Sequence, residues 1–286
     1  MDDDAPAIVV SVVVVNELVL RVIVGAVLAI VIGFAGHRAR ALSWSGAVAA
    51  AIVGTAAAAA GWSLAVVLIA YFGVSSLLSK LGARRKRARM AGVVDKTGAR
   101  DATQVMANGF PFLICALMSM IDSGHADIWK ICAVGSLAAS AADTWATEIG
   151  TLVGQTPRSI LTFRRMTVGE SGGVTLVGWI AAAAGATFVA AVAAVAGNDL
   201  FVWPFILIGG LAGAAVDSLV GASIQRRGWC DACVRATEMR IHDCGTVTRH
   251  TGGLAWLEND GVNLIATVTG AVIPWLIIVL LGHLIC

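Results

Sequence analysis

Four carboxylates, Asp143, Glu148, Asp217 and Asp260, fall within or at the ends of otherwise apolar stretches. Ionisable groups placed in a membrane span are costly and usually mark function. Asp143 follows the small run Ala138–Ala142 in AADTWATEIG, with Glu148 five residues later. Five helical residues turn about 500°, which leaves the two roughly 140° apart, so one alone should aim at a site. Asp217 lies in GAAVDSLVGAS between Gly213 and Gly221, glycines that permit a close approach of backbone or ligand. Asn259, Asp260 and Asn263 open a hydrophobic segment, and Asn263 stands i+4 from Asn259 and i+3 from Asp260, spacings that bring helical side chains together. Arg100, Gln104 and Asn108 make an i, i+4, i+8 polar stripe on another. Each taken singly reads equally well as a cap or an interhelical hydrogen bond; their convergence on several helix ends is what points to a site. Hard oxygen donors of this kind suit Mg²⁺, which takes one or two carboxylates plus substrate phosphates. That is a composition for phosphoryl transfer. No P-loop, nucleophile-elbow or zincin pattern is present.

The segment RSILTFRRMTVGESGGVTLVG adds a candidate anion site. Gly169, Ser171, Gly172 and Gly173 would turn successive backbone N–H groups toward an anion just before a helix N-terminus. Arg164 and Arg165 flank them as charge partners. Further on, Cys230-x-x-Cys233 and His242-x-Cys244 supply four N/S ligands in one polar loop, a set that fits tetrahedral zinc. With four protein ligands that zinc would be structural, folding a loop too short to have a core. His250 is a substitute ligand. Cys115, Cys132 and Cys286 sit in or at the end of apolar runs and read as small core residues.

The elements that must position these groups are membrane spans. Of 286 residues, 58% are hydrophobic and 13% charged, which excludes a soluble domain. Eight hydrophobic segments are read at about 8–35, 44–59, 61–79, 104–121, 128–149, 173–196, 201–222 and 261–284. The first is interrupted by Asn16, Glu17 and Arg21, which suggests an interfacial start. The opening MDDDAPA lacks a basic region, so that first run reads as a retained helix. Eighteen of the twenty Lys and Arg residues fall in alternate loops. The first holds Arg38 and Arg40, and the second runs from Lys80 through Lys96 to Arg100. The third holds Arg158, Arg164 and Arg165, and the last runs from Arg226 to Arg249. Asp122, Asp127 and Asp199 lie in the opposite loops. The positive-inside rule then places the basic loops in the cytoplasm and both termini outside. The run Arg84–Arg89 reads mainly as a topogenic anchor for anionic headgroups. The expected fold is an all-α, polytopic membrane bundle of about eight helices. It forms a single domain over residues 1–286, with a cytoplasmic loop at 223–258 that carries the zinc ligands.

The motifs together resemble a membrane family that includes plant and cyanobacterial phytyl-phosphate kinase and human transmembrane protein nineteen, long catalogued as a domain of unknown function. The matching stretches are RDATQVMANG, SAADTWATEIGTL, PRSIL through VGESGGVTLVG, GGLAGAAVDSLVGASIQ and ENDGVNL. Asp143-x-x-Ala146-x-x-x-Gly150 is also similar to the CTP-binding signature of dolichol and phytol kinases. The resemblance implies transfer of a γ-phosphoryl group from a nucleoside triphosphate, CTP by that signature, to a prenyl monophosphate. By matching position it makes Asp143, Glu148, Asp217 and Asp260 catalytic candidates, with Asp143, Asp217 and Asp260 holding Mg²⁺. Arg100, Gln104, Asn108, Arg165 and Ser171 become nucleotide- or phosphate-binding candidates, beside Arg164, Gly169, Gly172, Gly173, Asn259 and Asn263 from the residue reading. Many members read closer to G-T-N-G-G where this chain has Gly169-Glu170-Ser171-Gly172-Gly173, so Glu170 adds a negative charge beside the loop. Expected partners are a nucleoside triphosphate, a prenyl monophosphate lipid and the membrane, with no nucleic acid. The expected location is a prokaryotic plasma membrane with a cytoplasmic active face. Two other functions share these features: a transporter or flippase for an anionic lipid, and a cytidylyltransferase using the same CTP and Mg²⁺ site.

Overall fold

The computed structural model describes residues 5–93, 98–197 and 202–285, with side chains from 16 to 281 within them. Lys96, Asp199 and Cys286 lie outside the described residues. The chain is mostly helical. Eight long helices match the eight apolar segments: α1 (Ala5–Arg38), α2 (Trp44–Ala60), α3 (Trp62–Lys80), α5 (Ala102–Ile121), α6 (Ala126–Val153), α7 (Leu176–Val195), α8 (Trp203–Ser223) and α9 (Asn259–Ile285). The short basic helix α4 (Ala83–Met90) lies between α3 and α5. Six of these, α1, α3, α5, α7, α8 and α9, contain stretches long and apolar enough to cross a membrane. The 17-residue α2 is shorter, and the 28-residue α6 is long enough but carries Asp127, Lys130, Asp143 and Glu148. Helix α1 is continuous through the polar residues at its start, and its apolar stretch runs from Asn16 to Arg38; Glu17 accepts from Arg21 one turn on, at 3.1 Å, which offsets part of the cost of both charges.

Helix α6 is the axis of the bundle, packed against α3, α5, α7, α8 and α9. Every residue from Cys132 to Ala142 is buried, and most are Ala, Gly or Ser. Without a hydrophobic drive between helices in lipid, close packing of small residues supplies the association. The approach is backbone to backbone: a Cβ added at Gly270 of α9 would fall 2.6 Å from the Gly135 carbonyl oxygen of α6. Cys115 and Cys132 are buried in this core, as expected.

Two small sheets break the all-α pattern. Strands β1 (Arg158–Ser159) and β2 (Gly173–Val174) close the loop between α6 and α7. Between α8 and α9 lies a three-stranded antiparallel ribbon of β3 (Arg227–Cys230), β4 (Arg235–Thr237) and β5 (Arg249–Gly252), in the order β4-β3-β5. The α4 run also departs from expectation. Lys86 is buried, donating to the carbonyls of Leu78 and Ser79 and pairing with Glu148. Arg89 donates to the carbonyls of Thr151 and Leu152 at 2.6 and 2.8 Å. These two cations donate to carbonyls in the last turns of α3 and α6, where intrahelical partners run out. The run is therefore in part a structural clamp.

Candidate functional site

The C-terminal ends of α1, α3, α6 and α8 and the N-terminal ends of α2, α5, α7 and α9 gather at one end of the bundle, around a polar cavity of about 790 Å³. All four basic loops contribute to its rim or lie beside it. That size falls within the roughly 300–1,000 Å³ usual for small-molecule sites.

On its wall the carboxylates of Asp143 (α6) and Asp217 (α8) interact directly, and Arg100 is the cation that acts on Asp143. Asp217 Oδ2 is sealed from solvent with no hydrogen-bond partner. Two facing carboxylates with an orphaned oxygen are a donor set that fits a divalent cation. Arg100 is held by its backbone, its N–H donating to Ala41 O and its carbonyl accepting from the Ser43 N–H, both at 3.0 Å. Asp101 then caps α5 through a capping box with Gln104. Gln104 spends its side-chain oxygen on that box, which leaves its NH₂ for a ligand. Asn108 lines the cavity but is committed on both sides, donating to Gln104 O at 2.9 Å and accepting from Ser140, itself bonded to Tyr71. Its geometry is that of an interhelical tie between α5, α6 and α3.

Glu148 also lines the cavity, so the expectation that only one of the α6 acids would face it is corrected. The cavity wraps round the end of α6, with Asp143 toward α8 and Glu148 toward α3 and α4. Glu148 is neutralised there by Lys86 and accepts from the Ser79 hydroxyl at 2.5 Å, which makes it a structural charge. Asn259 and Asn263 share one face of α9 and line the cavity, whereas Asp260 does not. One residue on from Asn259 is a turn of about 100°, which carries Asp260 off that face to a partner of its own. Arg164 and Arg165 are likewise off the cavity: both are exposed on the outer part of the β1–β2 loop.

The glycine loop does line the cavity through Gly169, Ser171, Gly172 and Gly173. Gly169 and Gly172 have φ of 96° and 81°, which favours glycine, and a Cβ at Gly172 would meet the Ala222 backbone at 2.6 Å. Three of its amides already have acceptors within the protein. Glu170 N–H donates to Thr167 O at 3.2 Å and Gly173 N–H to Glu170 O at 3.3 Å. The Ser171 N–H donates to a carboxylate, Glu238 Oε1, at 2.8 Å.

Glu238 carries no signal in the sequence, being one charge among many in a polar loop. It follows directly on β4, lines the cavity and acts electrostatically on Asp217; burial pushes its carboxyl above the usual range. Gln225 Nε2 donates to its second oxygen at 3.0 Å. In the same ribbon the ligand atoms of Cys230, Cys233, His242 and Cys244 all lie within 4.8 Å of one another. Hydrogen bonds from Thr246 hold the Cys244 thiol down to about 6, and its neighbour Cys233, hydrogen-bonded to Cys244, is pushed up to about 11. His250 instead faces the Gly253 carbonyl, 3.1 Å away, and does not join the cluster.

A second cavity, of about 270 Å³ and almost wholly apolar, runs between α1, α2, α3 and α5. It shares Leu42, Arg100, Gln104 and Asn108 with the polar cavity, so the two meet at the start of α5; Arg100 precedes the Asp101 cap and bridges to Leu42, so of the expected stripe only Gln104 and Asn108 lie on the helix.

Among known proteins, the chain is 31% identical to Protein PGR of Arabidopsis thaliana over 86% of this chain and 92% of that one. It is 28% identical to an uncharacterized membrane protein of Methanocaldococcus jannaschii, over 91% and 96%. It is 27% identical to the chloroplastic Protein VTE6 of Arabidopsis thaliana, over 81% and 64%. No solved structure matches. A family model for integral membrane proteins covers residues 27–271, and the chain thus belongs to the DUF92 family of integral membrane proteins.

Proposed function

We propose that the protein is a membrane prenyl-phosphate kinase, transferring the γ-phosphoryl group of a nucleoside triphosphate, read as CTP, to a prenyl monophosphate. The observation that carries this reading is the junction of the two cavities at Arg100 and Gln104. An amphiphile with an apolar tail and an anionic head fits that junction, tail in the slot and head at the guanidinium. The polar cavity beyond it has room for a nucleotide, and Asp143 and Asp217 stand on its wall.

The acceptor phosphate oxygen attacks the γ-phosphorus, and the bond from that phosphorus to the β–γ bridging oxygen breaks. The products are the prenyl diphosphate and the nucleoside diphosphate. Because the acceptor is already ionised, no general base is needed, and positioning with charge neutralisation supplies most of the rate. Arg100 orients the head, and the Gln104 NH₂ and Asn263 lie where they can hold phosphate oxygens. Asp143 and Asp217 would hold Mg²⁺, which when bound supplies charge neutralisation at the transferring phosphates. By the positive-inside rule the cavity end faces the cytoplasm, the compartment from which a nucleotide arrives.

The resemblance to the phytyl-phosphate kinase family supports the same substrate class. A transporter would be expected to carry broken helices meeting near the midplane. Here α6 and α8 run unbroken through Asp143 and Asp217, which lie in the C-terminal halves of both helices, on the side of the polar cavity. Purified protein incubated with a prenyl monophosphate, CTP and Mg²⁺ tests the reading. Prenyl diphosphate plus CDP supports it. A CDP-lipid plus pyrophosphate replaces it with cytidylyl transfer, and no turnover with any nucleotide leaves the transporter.

A further inference from the structure

The residue that closes the glycine loop comes from the ribbon, and the ribbon carries a metal-ligand set. Cys230 and Cys244 sulfurs are 3.6 Å apart, and His242 Nδ1 lies 3.3 Å from the Cys244 sulfur. Zinc–sulfur bonds of about 2.3 Å in a tetrahedron give sulfur–sulfur edges of about 3.8 Å, close to the separation found and far from the ~2 Å of a disulfide. Cys230 and His242 are buried, while Cys233 and Cys244 lie at the outer side of the cluster.

Glu238 sits in the segment between the two ligand pairs, after Cys233 and before His242. That segment is tied inward at several points. The Glu238 N–H donates to Val93 O at 2.9 Å, and the buried Arg226 donates to the carbonyls of Glu238 and Met239 at 3.1 and 3.3 Å. Its side chain then reaches the Ser171 amide and Gln225, beside Asp217. The strands of the ribbon are only three or four residues long. A unit of that size has too little apolar area to order itself without a staple.

We propose that the ribbon binds one tetrahedral zinc through Cys230, Cys233, His242 and Cys244, and that this zinc sets Glu238 in the polar cavity as a third carboxylate beside Asp143 and Asp217. Glu238 is a positioning residue. It pins the Gly169–Gly173 turn through the Ser171 N–H and deepens the negative field at the Asp143–Asp217 pair. The ribbon zinc therefore reaches the site through one side chain, with no ligand of its own in the cavity. The coupling to the cavity rests on the divalent-cation role proposed above for Asp143 and Asp217; the zinc site does not.

The test uses the full-length protein in detergent or nanodiscs and needs no turnover. Metal analysis should find about one zinc per chain in the wild type and almost none in Cys244→Ser, and cobalt substitution should give the absorption bands of a tetrahedral thiolate site. Mn²⁺, titrated by electron paramagnetic resonance as a probe of the carboxylates, should bind about 10–100-fold more weakly to Cys244→Ser and to Glu238→Gln. Glu238→Gln should keep its zinc, which separates loss of the carboxylate from collapse of the ribbon. Zinc-free wild type overturns the metal site. Unchanged Mn²⁺ affinity in Glu238→Gln overturns the link to the cavity. Absence of Mn²⁺ binding in the wild type overturns both the link and the Asp143–Asp217 cation role, while leaving the zinc site standing. Since none of these readouts is activity, they stand apart from the prenyl-phosphate assay.

Discussion

The cavity receives its carboxylates by two routes that differ in almost every physical respect. Asp143 and Asp217 come from helices of the bundle, positioned by a fixed turn of 100° per residue and by a packed interface of small side chains. Glu238 comes from a ribbon outside the bundle, held by hydrogen bonds, in the segment between the two pairs of the Cys/His cluster. The first route is rigid whatever metal is present, and the second, with the zinc proposed above, depends on a staple. A site assembled this way has a fixed floor and an adjustable wall.

The largest expected effect falls on the fixed floor. Asp143→Asn and Asp217→Asn should each lower turnover of prenyl monophosphate by about 10³-fold while helix content by circular dichroism is unchanged. The double variant should be little worse than either single one, because groups acting as a unit are not additive. Near-normal activity in either single variant would break the comparison, leaving the wall without a floor to act on.

The two routes also differ in what a reader of the sequence can detect. An aspartate inside AADTWATEIG stands out because hydrocarbon penalises it, so both helical acids, and Gln104 and Asn108 on α5, were legible, whereas Arg100 lies before the helix. The eight segments were legible for the same reason. Glu238 was not, since a glutamate in a polar loop costs nothing and resembles its neighbours. The acceptor of the Ser171 amide in the glycine loop is hidden for the same reason, because Glu238 stands 67 residues away. Asp260 was misplaced by one residue of helical phase. The ion pair of Glu148 was not legible because its partner Lys86 lies in a run that composition alone marks as a topology signal.

That ion pair gives the next test, and it concerns stability. Lys86→Met leaves Glu148 facing the cavity without its cation, and removes a cap from two carbonyls of α3. Breaking a fully buried pair costs roughly 3–5 kcal/mol. Glu148 keeps 21% of its side chain exposed, and the loss should be smaller, about 2 kcal/mol, seen as a lowered thermal midpoint. Glu148→Gln in the same background should recover part of it. If Lys86→Met unfolds like the wild type, α4 is only the topogenic anchor that its composition suggests.

The smallest effect is expected where the sequence placed most of its weight on phosphate binding. Arg164 and Arg165 stand beside the glycine turn in the chain, but the β1–β2 closure turns them outward. Arg100 is distant in sequence from that turn but lines the same cavity as Asp143 and acts on it electrostatically. Exposed charges beyond a Debye length of about 8 Å are screened at physiological salt, whereas a guanidinium at the junction of two cavities is not. Arg164→Ala with Arg165→Ala should therefore change KM for prenyl monophosphate by less than about twofold, and only at low ionic strength. Arg100→Ala should raise it by about 10-fold or more, with little salt dependence. A reversed order would mean that the outer loop swings in over the head group and that the floor alone does not define the site.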